Sequence, residues 1–404
     1  MVTQKSFRIS GTGCALVDYL YKPLNFNDAV FSRYLSKNAG DGGLAPGKLV
    51  FKEEFEQFSG DSYMQVRDTL TNKKQPVAVN IGGPSIVSLI HAAQLLHGLN
   101  ADVSFYGCMG SDDGGAFIRN QLTKTPLKIG KYKTGAQYTP FTDVLCDPDF
   151  DHGNGERIFI NNVGAAWDFM PSDLDNSFFE SDLVAFGGTA LVPNIHSGLT
   201  DLLRKAKAQK AITVVNTVYD FLNEKQNPLK SWPLGNSMET YQYIDLLIAD
   251  MEESLRLSGT SSVEAAMNFF KSTGVGAVIV THGSNPLHFF ADNALFGKIP
   301  GSTLPVSEKV KLQIRQNPDK VGDTTGCGDN FAGGVMASIA MQLIQKPEQK
   351  VDLVQAVALG IASGGFTCFY NGGTFYEESP GQKAQQMESY YLGYLTQIGK
   401  EHVL

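Results

Sequence analysis

"DTTGCGDNFAGG", residues 323–334, decides how the rest of the 404-residue chain is read. Gly326 and Gly328 flank Cys327, so the backbone there carries almost no side chain and can come close to a ligand. Beyond the glycines, Phe331, Val335, Ile339 and Leu343 recur at helical spacing, which predicts a helix with one apolar face. The glycine loop therefore falls at a helix N-terminus. Free N–H groups and the positive end of the helix dipole converge there, and both suit a phosphate. Asp329 stands beside that anion site. A carboxylate is badly placed to bind phosphate, but well placed to take a proton from a hydroxyl that attacks phosphorus. The plainer alternative makes Asp329 a helix cap and the glycines a tight turn. Gly333 and Gly334 lie inside the helix, where each costs about 1 kcal/mol relative to alanine. Close packing or a ligand contact would account for them.

Working outward, short apolar runs alternate with helical patterns. The runs are "DVSFYG" (102–107), "DLVAFGG" (182–188), "ITVVN" (212–216), "IDLLIA" (244–249) and "GAVIVT" (276–281). Between them lie helices such as 199–209 and 261–270, the second with a capping box from Ser261 to Glu264. Continuous apolar strands separated by helices predict a parallel sheet covered on both faces. Two regions break the rhythm. Residues 21–79 are rich in glycine, charge and aromatics. Residues 131–163 read as a hairpin turning at "DFDHGNG". Both read as insertions that together form a small sheet. The expected division is thus 1–20, 80–130 and 164–404 for the α/β body, with 21–79 and 131–163 as a lid.

Two glycine-rich stretches are decoys. "GTGCALVD" (11–18) has Leu16 where a dinucleotide fingerprint needs its third glycine, and strand rather than helix surrounds it. "GGLAPGKL" (42–49) lacks the Ser/Thr of a P-loop and the strand before it.

The net charge of -8 disfavours non-specific binding to nucleic acid or anionic membrane. Cys14, Cys108, Cys146, Cys327 and Cys368 are widely spaced and odd in number, which argues against a disulfide scaffold or a zinc knuckle. The N-terminus has no apolar leader and the sequence has no run of eighteen apolar residues, so a cytoplasmic location without a membrane span is expected.

With these pieces in order, the chain resembles the PfkB, or ribokinase-like, family of sugar and nucleoside kinases. "DTTGCGDNFAGG" matches the family's D-T-x-G-A-G-D-x-F-x-x-G motif, with Cys327 in the alanine position. "NIGGPSIVSLIHAAQLL", "VSFYGCMGSDDGGAFIRNQL", "GERIFINNVGAA" and "VIVTHGSNPL" are similar to further family blocks in the same order. The resemblance implies a three-layer α/β/α sandwich with a small β-sheet lid. It implies Asp329 as catalytic base and the N–H groups of Gly326, Cys327 and Gly328 as the anion hole. Asp323 and Thr325 would support the nucleotide phosphates, in many members beside a monovalent cation such as K+. Thr281 and Gly283 fall where the family contacts ATP, with Pro286 in place of the usual following glycine. Asp18 matches the acceptor-binding aspartate. Gly82 and Gly83 match the Gly-Gly pair against which a sugar lies. Asp250 and Glu253 take the places of an N-x-x-E motif that organises Mg2+ through water, with Asp250 where asparagine is usual. Val87 likewise replaces a family asparagine, so the acceptor is expected to present a less polar edge there.

The implied reaction is transfer of the ATP γ-phosphoryl group to an alcohol of a sugar or sugar derivative. Alternatives are a nucleoside (adenosine-like) kinase and a catalytically silent sugar- or nucleotide-binding protein on the same fold. A dehydrogenase is the more distant reading. A homodimer through edge strands of the lid is also implied.

Overall fold

Successive residues of one strand face opposite ways, and the apolar runs use this to build two cores. In the strand Leu183–Gly187, Leu183 and Ala185 enter one core while Val184 and Phe186 enter the other. Ala277–Thr281 splits likewise, with Ala277 and Ile279 on one side and Val278 and Val280 on the other. A strand buried on both faces needs helices on both, hence three layers.

The computed structural model describes residues 5–38, 40–153, 155–318, 321–322 and 324–401. Within them the strands are β1 (Phe7–Gly13), β2 (Leu16–Tyr21), β3 (Leu49–Phe51), β4 (Ala78–Gly82), β5 (Ala101–Met109), β6 (Lys128–Thr134), β7 (Phe141–Asp147), β8 (Glu156–Asn162), β9 (Leu183–Gly187), β10 (Ile212–Asn216), β11 (Leu246–Asp250), β12 (Ala277–Thr281), β13 (Leu287–Asn293) and β14 (Gly297–Leu304). The longer helices are α1 (Lys52–Ser59), α2 (Tyr63–Leu70), α3 (Pro84–Leu95), α4 (Asp113–Leu122), α5 (Leu199–Ala208), α6 (Met251–Ser258), α7 (Val263–Ser272), α8 (Glu308–Gln316), α9 (Cys327–Gln345), α10 (Leu353–Thr367) and α11 (Gln382–Gln397).

Among the described residues, nine strands form the main sheet in the order β14-β13-β12-β11-β10-β9-β1-β5-β6. It is parallel from β12 to β6, and β13 and β14 add an antiparallel edge. Helices α3, α9, α10 and α11 share one core with the sheet, and α5 and α7 share the other. A second sheet, β3-β8-β7-β2-β4, has its own core of Phe26, Phe55, Tyr63, Leu145 and Ile158, closed by α1 and α2.

The limits of this second sheet differ from those expected. β2 and β4 belong to it, pairing Asp18 with Asn80, although residues 16–20 and 80–82 were assigned to the body. β6 stays in the main sheet beside β5, although 131–134 were assigned to the insertion. These pairings are long-range, and a strand's own sequence does not say which sheet it joins. Among the described residues the expected capping box from Ser261 to Glu264 does not form, because the N-cap lies one residue on and puts Ala265 at the third position. Ser262, not Ser261, accepts the Ala265 N–H at 3.2 Å and opens α7.

Helix α9 is not one-faced. Every residue from Asn330 to Ala340 is buried, because α3 packs on one side and α10 on the other. The two glycines explain how. A Cβ on Gly333 would lie 2.4 Å from the Ser88 carbonyl oxygen of α3, and one on Gly334 would lie 2.2 Å from Ser363 Oγ of α10. Helix contact is therefore the reason for both.

Candidate active site

The parallel strands end along one line: Gly13, Gly187, Asn216, Asp250 and Thr281 close β1, β9, β10, β11 and β12. In open α/β sheets ligands bind outside such carboxyl ends. At β1 the chain is pinched. A Cβ on Gly13 would lie 1.8 Å from the Gly187 carbonyl oxygen, and the Cys14 N–H donates to that oxygen at 2.8 Å. Two residues on, the chain enters β2 and the second sheet, which carries Asp18 back over the strand ends.

The Gly-Gly pair has a steric reason of its own. A Cβ on Gly82 would fall 2.0 Å from Asp18 Oδ2. Gly83, at φ 104, would meet the Cys14 carbonyl oxygen at 2.6 Å. That carbonyl accepts the N–H groups of Ser85 and Ile86, at 3.2 and 3.4 Å, and so caps the start of α3. The pair thus seats the Asp18 carboxylate against bare backbone.

The second wall is the start of α9. Gly326 is left-handed at φ 77, and a Cβ there would lie 2.4 Å from Gly373 Cα. Among the described residues no side chain caps this helix. The Cys327 N–H makes a long turn bond of 3.3 Å to the Thr324 carbonyl, and Gly328 faces open space. Asp329 occupies the third helical position and is partly buried. Burial raises its carboxyl pKa to about 6. Cys327 Sγ lies 3.7 Å from Cys368 Sγ, both as reduced thiols. Thr325 is exposed on the same loop, and Asp323 lies outside the described residues.

These walls meet at Cys14. Its thiol pKa is driven far up, first by burial and then by the negative fields of Asp18 and Asp329. The third wall is the start of α6. Asp250 accepts the Glu253 N–H at 2.7 Å, and Glu253 Oε2 accepts the Asp250 N–H at 3.0 Å and the Thr217 hydroxyl at 2.5 Å. Glu253 is raised to about 7 by burial, then by Asp250, with Asp329 contributing. Asp250 is also raised, first by desolvation. Among the described residues no cluster of three His, Cys, Asp or Glu side chains could hold a metal.

Thr281 is the register partner of Asp250, and Gly283, at φ 54, has open space around it. Both therefore sit at the α6 end of the line, four strands from β1. Val87 lies beneath the glycine loop at the head of α9. It is 1% exposed, and its methyl groups lie 3.0–3.2 Å from where a Cβ on Gly373 would be. It fills space beneath the loop that supports Gly326.

Sequence reasoning missed several residues here. A narrow cleft opens beside Cys14, lined by Leu16, Asn161, Asn162, Val163, Phe169 and Leu191. Asn161 Oδ1 and Asn162 Nδ2 are buried without partners among the described residues. Asn330 and Lys383 form a buried pair under the glycine loop. The adjacent "NN" at the end of a strand was the one visible signal. Nothing local marked Lys383.

The model of the pfkB family of carbohydrate kinases matches residues 57–379. The chain belongs to that family. Its members are phosphotransferases with an alcohol acceptor. It is 24% identical over 311 residues to an adenosine kinase of Schizosaccharomyces pombe, covering 73% of this chain and 84% of that one. In three dimensions it is similar to adenosine kinase from Schistosoma mansoni in complex with 2-fluoroadenosine, at TM-score 0.67 and 17% identity, over 95% of this chain and 98% of that one. It is also similar to a putative ribokinase II from E. coli in complex with ATP and Mg2+, at TM-score 0.61 and 16% identity, over 95% and 99%. The ribokinase-like fold is therefore shared. No helix among the described residues is long and apolar enough to cross a membrane.

Proposed function

We propose that this protein uses ATP to phosphorylate a sugar hydroxyl, with Asp329 as base and Asp18 as acceptor ligand. The observation that carries the reading is geometric: Gly82 and Gly83 seat the Asp18 carboxylate beside Cys14, and Asp329 stands at the glycine-led head of α9, near enough for both charges to act on the Cys14 thiol. In the step itself, the acceptor O–H gives its proton to Asp329. The new O–P bond forms as the bond from the γ-phosphorus to the ADP oxygen breaks. Charge on the transferring group would meet the N–H groups of Gly326, Cys327 and Gly328. With a pKa near 6, Asp329 is ionised at neutral pH yet more basic than a free aspartate.

Thr281, Gly283 and Thr325 would contact the nucleotide at the other end of the cleft. Mg2+ would be held by Asp250 and Glu253 through water. Each spends one oxygen on capping α6 and has the other left to accept from a metal-bound water, and Mg2+ keeps several waters in such sites. The ion would neutralise phosphate charge. The second sheet would act as the lid over the acceptor, and its edge strands β3 and β4 would be the place for a homodimer contact.

The cleft beside Cys14 favours one acceptor class. Its Leu16, Val163, Phe169 and Leu191 surfaces suit a flat apolar group. A nucleoside meets that description better than a bare sugar, and the curated relative is an adenosine kinase. The test is a thermal-shift screen of adenosine, ribose, fructose, sugar acids and 6-phosphorylated hexoses, each with and without Mg-ATP and K+, followed by competition at limiting acceptor. Adenosine should raise the melting temperature most and outcompete ribose at least ten-fold in kcat/KM. Nucleotide binding with no acceptor phosphorylated would leave the silent binding protein as the reading.

A further inference from the structure

Helix α11 begins just beyond the span that the family model matches, 57–379. It delivers one lysine beneath the glycine loop. Lys383 is 1% exposed, although it sits in the first turn of α11, where the helix dipole disfavours a cation. Its Nζ has no ion pair among the described residues. It lies 2.8 Å from Asn330 Oδ1 and over the rings of Tyr370 and Phe375, 5.4 and 6.0 Å from their centroids. Burial pushes its pKa well down. A lysine buried against both rules is expected where it serves a site.

Its partner follows Asp329 directly. Asn330 is fully buried, and its amide is saturated. Nδ2 donates to the carbonyls of Gly326 and Gly373, each at 2.8 Å. Oδ1 accepts from Lys383 Nζ at 2.8 Å and from the Tyr370 hydroxyl at 3.2 Å. A side-chain amide has two donors and one oxygen with two lone pairs, so nothing is left over. Flipped, the amide would press its oxygen against two carbonyl oxygens and turn its NH2 toward the lysine. The N–H donors of Lys383 favour the observed orientation, and ammonium and amine both carry them.

We propose that Lys383 is a positioning residue of the phosphoryl site: by pinning the Asn330 amide it holds Gly326 against Gly373 and aims the backbone N–H groups at the head of α9. This rests on the reading of that loop as the phosphoryl site. Lys383 touches no reacting atom. Its effect should therefore appear in kcat and not in acceptor binding.

The experiment is a double-mutant cycle on the full chain, with kcat, acceptor KM and melting temperature read for each variant. Lys383→Met should lower kcat on the order of ten-fold, with acceptor KM within about two-fold of wild type. Asn330→Ala should lose at least as much. Adding Lys383→Met to it should cost little further, since residues acting as one unit are not additive. Asn330→Asp keeps an acceptor for the lysine but sets an oxygen against the two carbonyls. It should fold and lose kcat, and it tests the orientation even if Lys383→Met fails to fold. Lowered melting temperature with unchanged kcat, or fully additive losses, would overturn the proposal. Asp329→Asn, run in parallel, separates the two levels. If it stays active, the phosphoryl-site reading falls. If it is inactive while Lys383→Met and Asn330→Asp turn over normally, only the role of Lys383 falls.

Discussion

Helices α6 and α9 both begin at the carboxyl end of the sheet, and both carry an acid at the third position. They use it in opposite ways. In α6, Glu253 folds back onto the N–H of Asp250 while Asp250 takes the N–H of Glu253. The helix start satisfies itself. In α9 the first position outside the helix is Gly326, which has no side chain to offer, and among the described residues no side chain, Asp329 included, caps it. A helix leaves its first N–H groups unpaired unless something caps them. The closed start gains stability and keeps few donors for a ligand. The open start, with glycine in place of a capping side chain, gives up about a few tenths of a kcal/mol and presents bare backbone and a carboxylate for chemistry.

The largest expected effect breaks this contrast at Asp329. Asp329→Asn keeps the shape but cannot take a proton. It should lower kcat on the order of 10²–10⁴-fold, the usual worth of a general base, with nucleotide affinity nearly unchanged. Steady-state kinetics and a nucleotide titration check both halves. Activity near the wild-type level would remove Asp329 from the base role.

A smaller effect is expected at the closed start. Glu253→Gln keeps the capping acceptor and loses the charge, so the Mg2+ concentration for half-maximal rate should rise roughly three- to ten-fold. Asp250→Asn keeps its capping oxygen and should stay within about three-fold, since a neutral acceptor at the N-cap is as good as a charged one. A Mg2+ titration of each variant gives the ranking. Equal, complete inactivation would mean that α6 is as much part of the chemistry as α9.

The same contrast shows what the sequence could reveal. Strand β10 was legible to the residue because a continuous apolar run bounded by polar residues specifies itself. The glycine loop and Asp329 were legible because their constraints lie within one turn of helix. Glycine at 326 is required by its own φ, and the following residues set the helix. Asp18 was legible as a residue but not as a member of the second sheet, since its neighbours Asn80 and Thr142 come from distant segments. The packing of Val87 was hidden for a related reason. Its chemistry was visible, but Gly373, which it packs against, lies far along the chain. Lys383 is the extreme case, a lone lysine whose meaning depends wholly on contacts made after folding.

The smallest expected effect concerns pH and apo stability. Burial raises Asp329 from 3.8 to about 6. A carboxyl raised in the folded state binds its proton more tightly there than in the unfolded chain. The folded state therefore loses relative stability as pH climbs from near 4 through 6, and the loss is complete above it. Asp329→Asn removes that loss. Without ligands, it should melt at the same temperature as wild type near pH 4 and progressively higher above pH 5. The gap should level off by about pH 8 at a few degrees, since the rise from 3.8 to about 6 is worth at most about 3 kcal/mol and a chain of this length shifts by roughly 1 °C per kcal/mol. Glu253→Gln should show a later and smaller gap. Its carboxyl is raised from 4.5 to about 7, but its charged form also accepts two hydrogen bonds that the amide holds less well. Melting curves of the three proteins from pH 4 to 9 decide the matter. A gap for Asp329→Asn that does not vary with pH would mean that the open helix start does not store a buried charge, and the contrast with α6 would reduce to geometry alone.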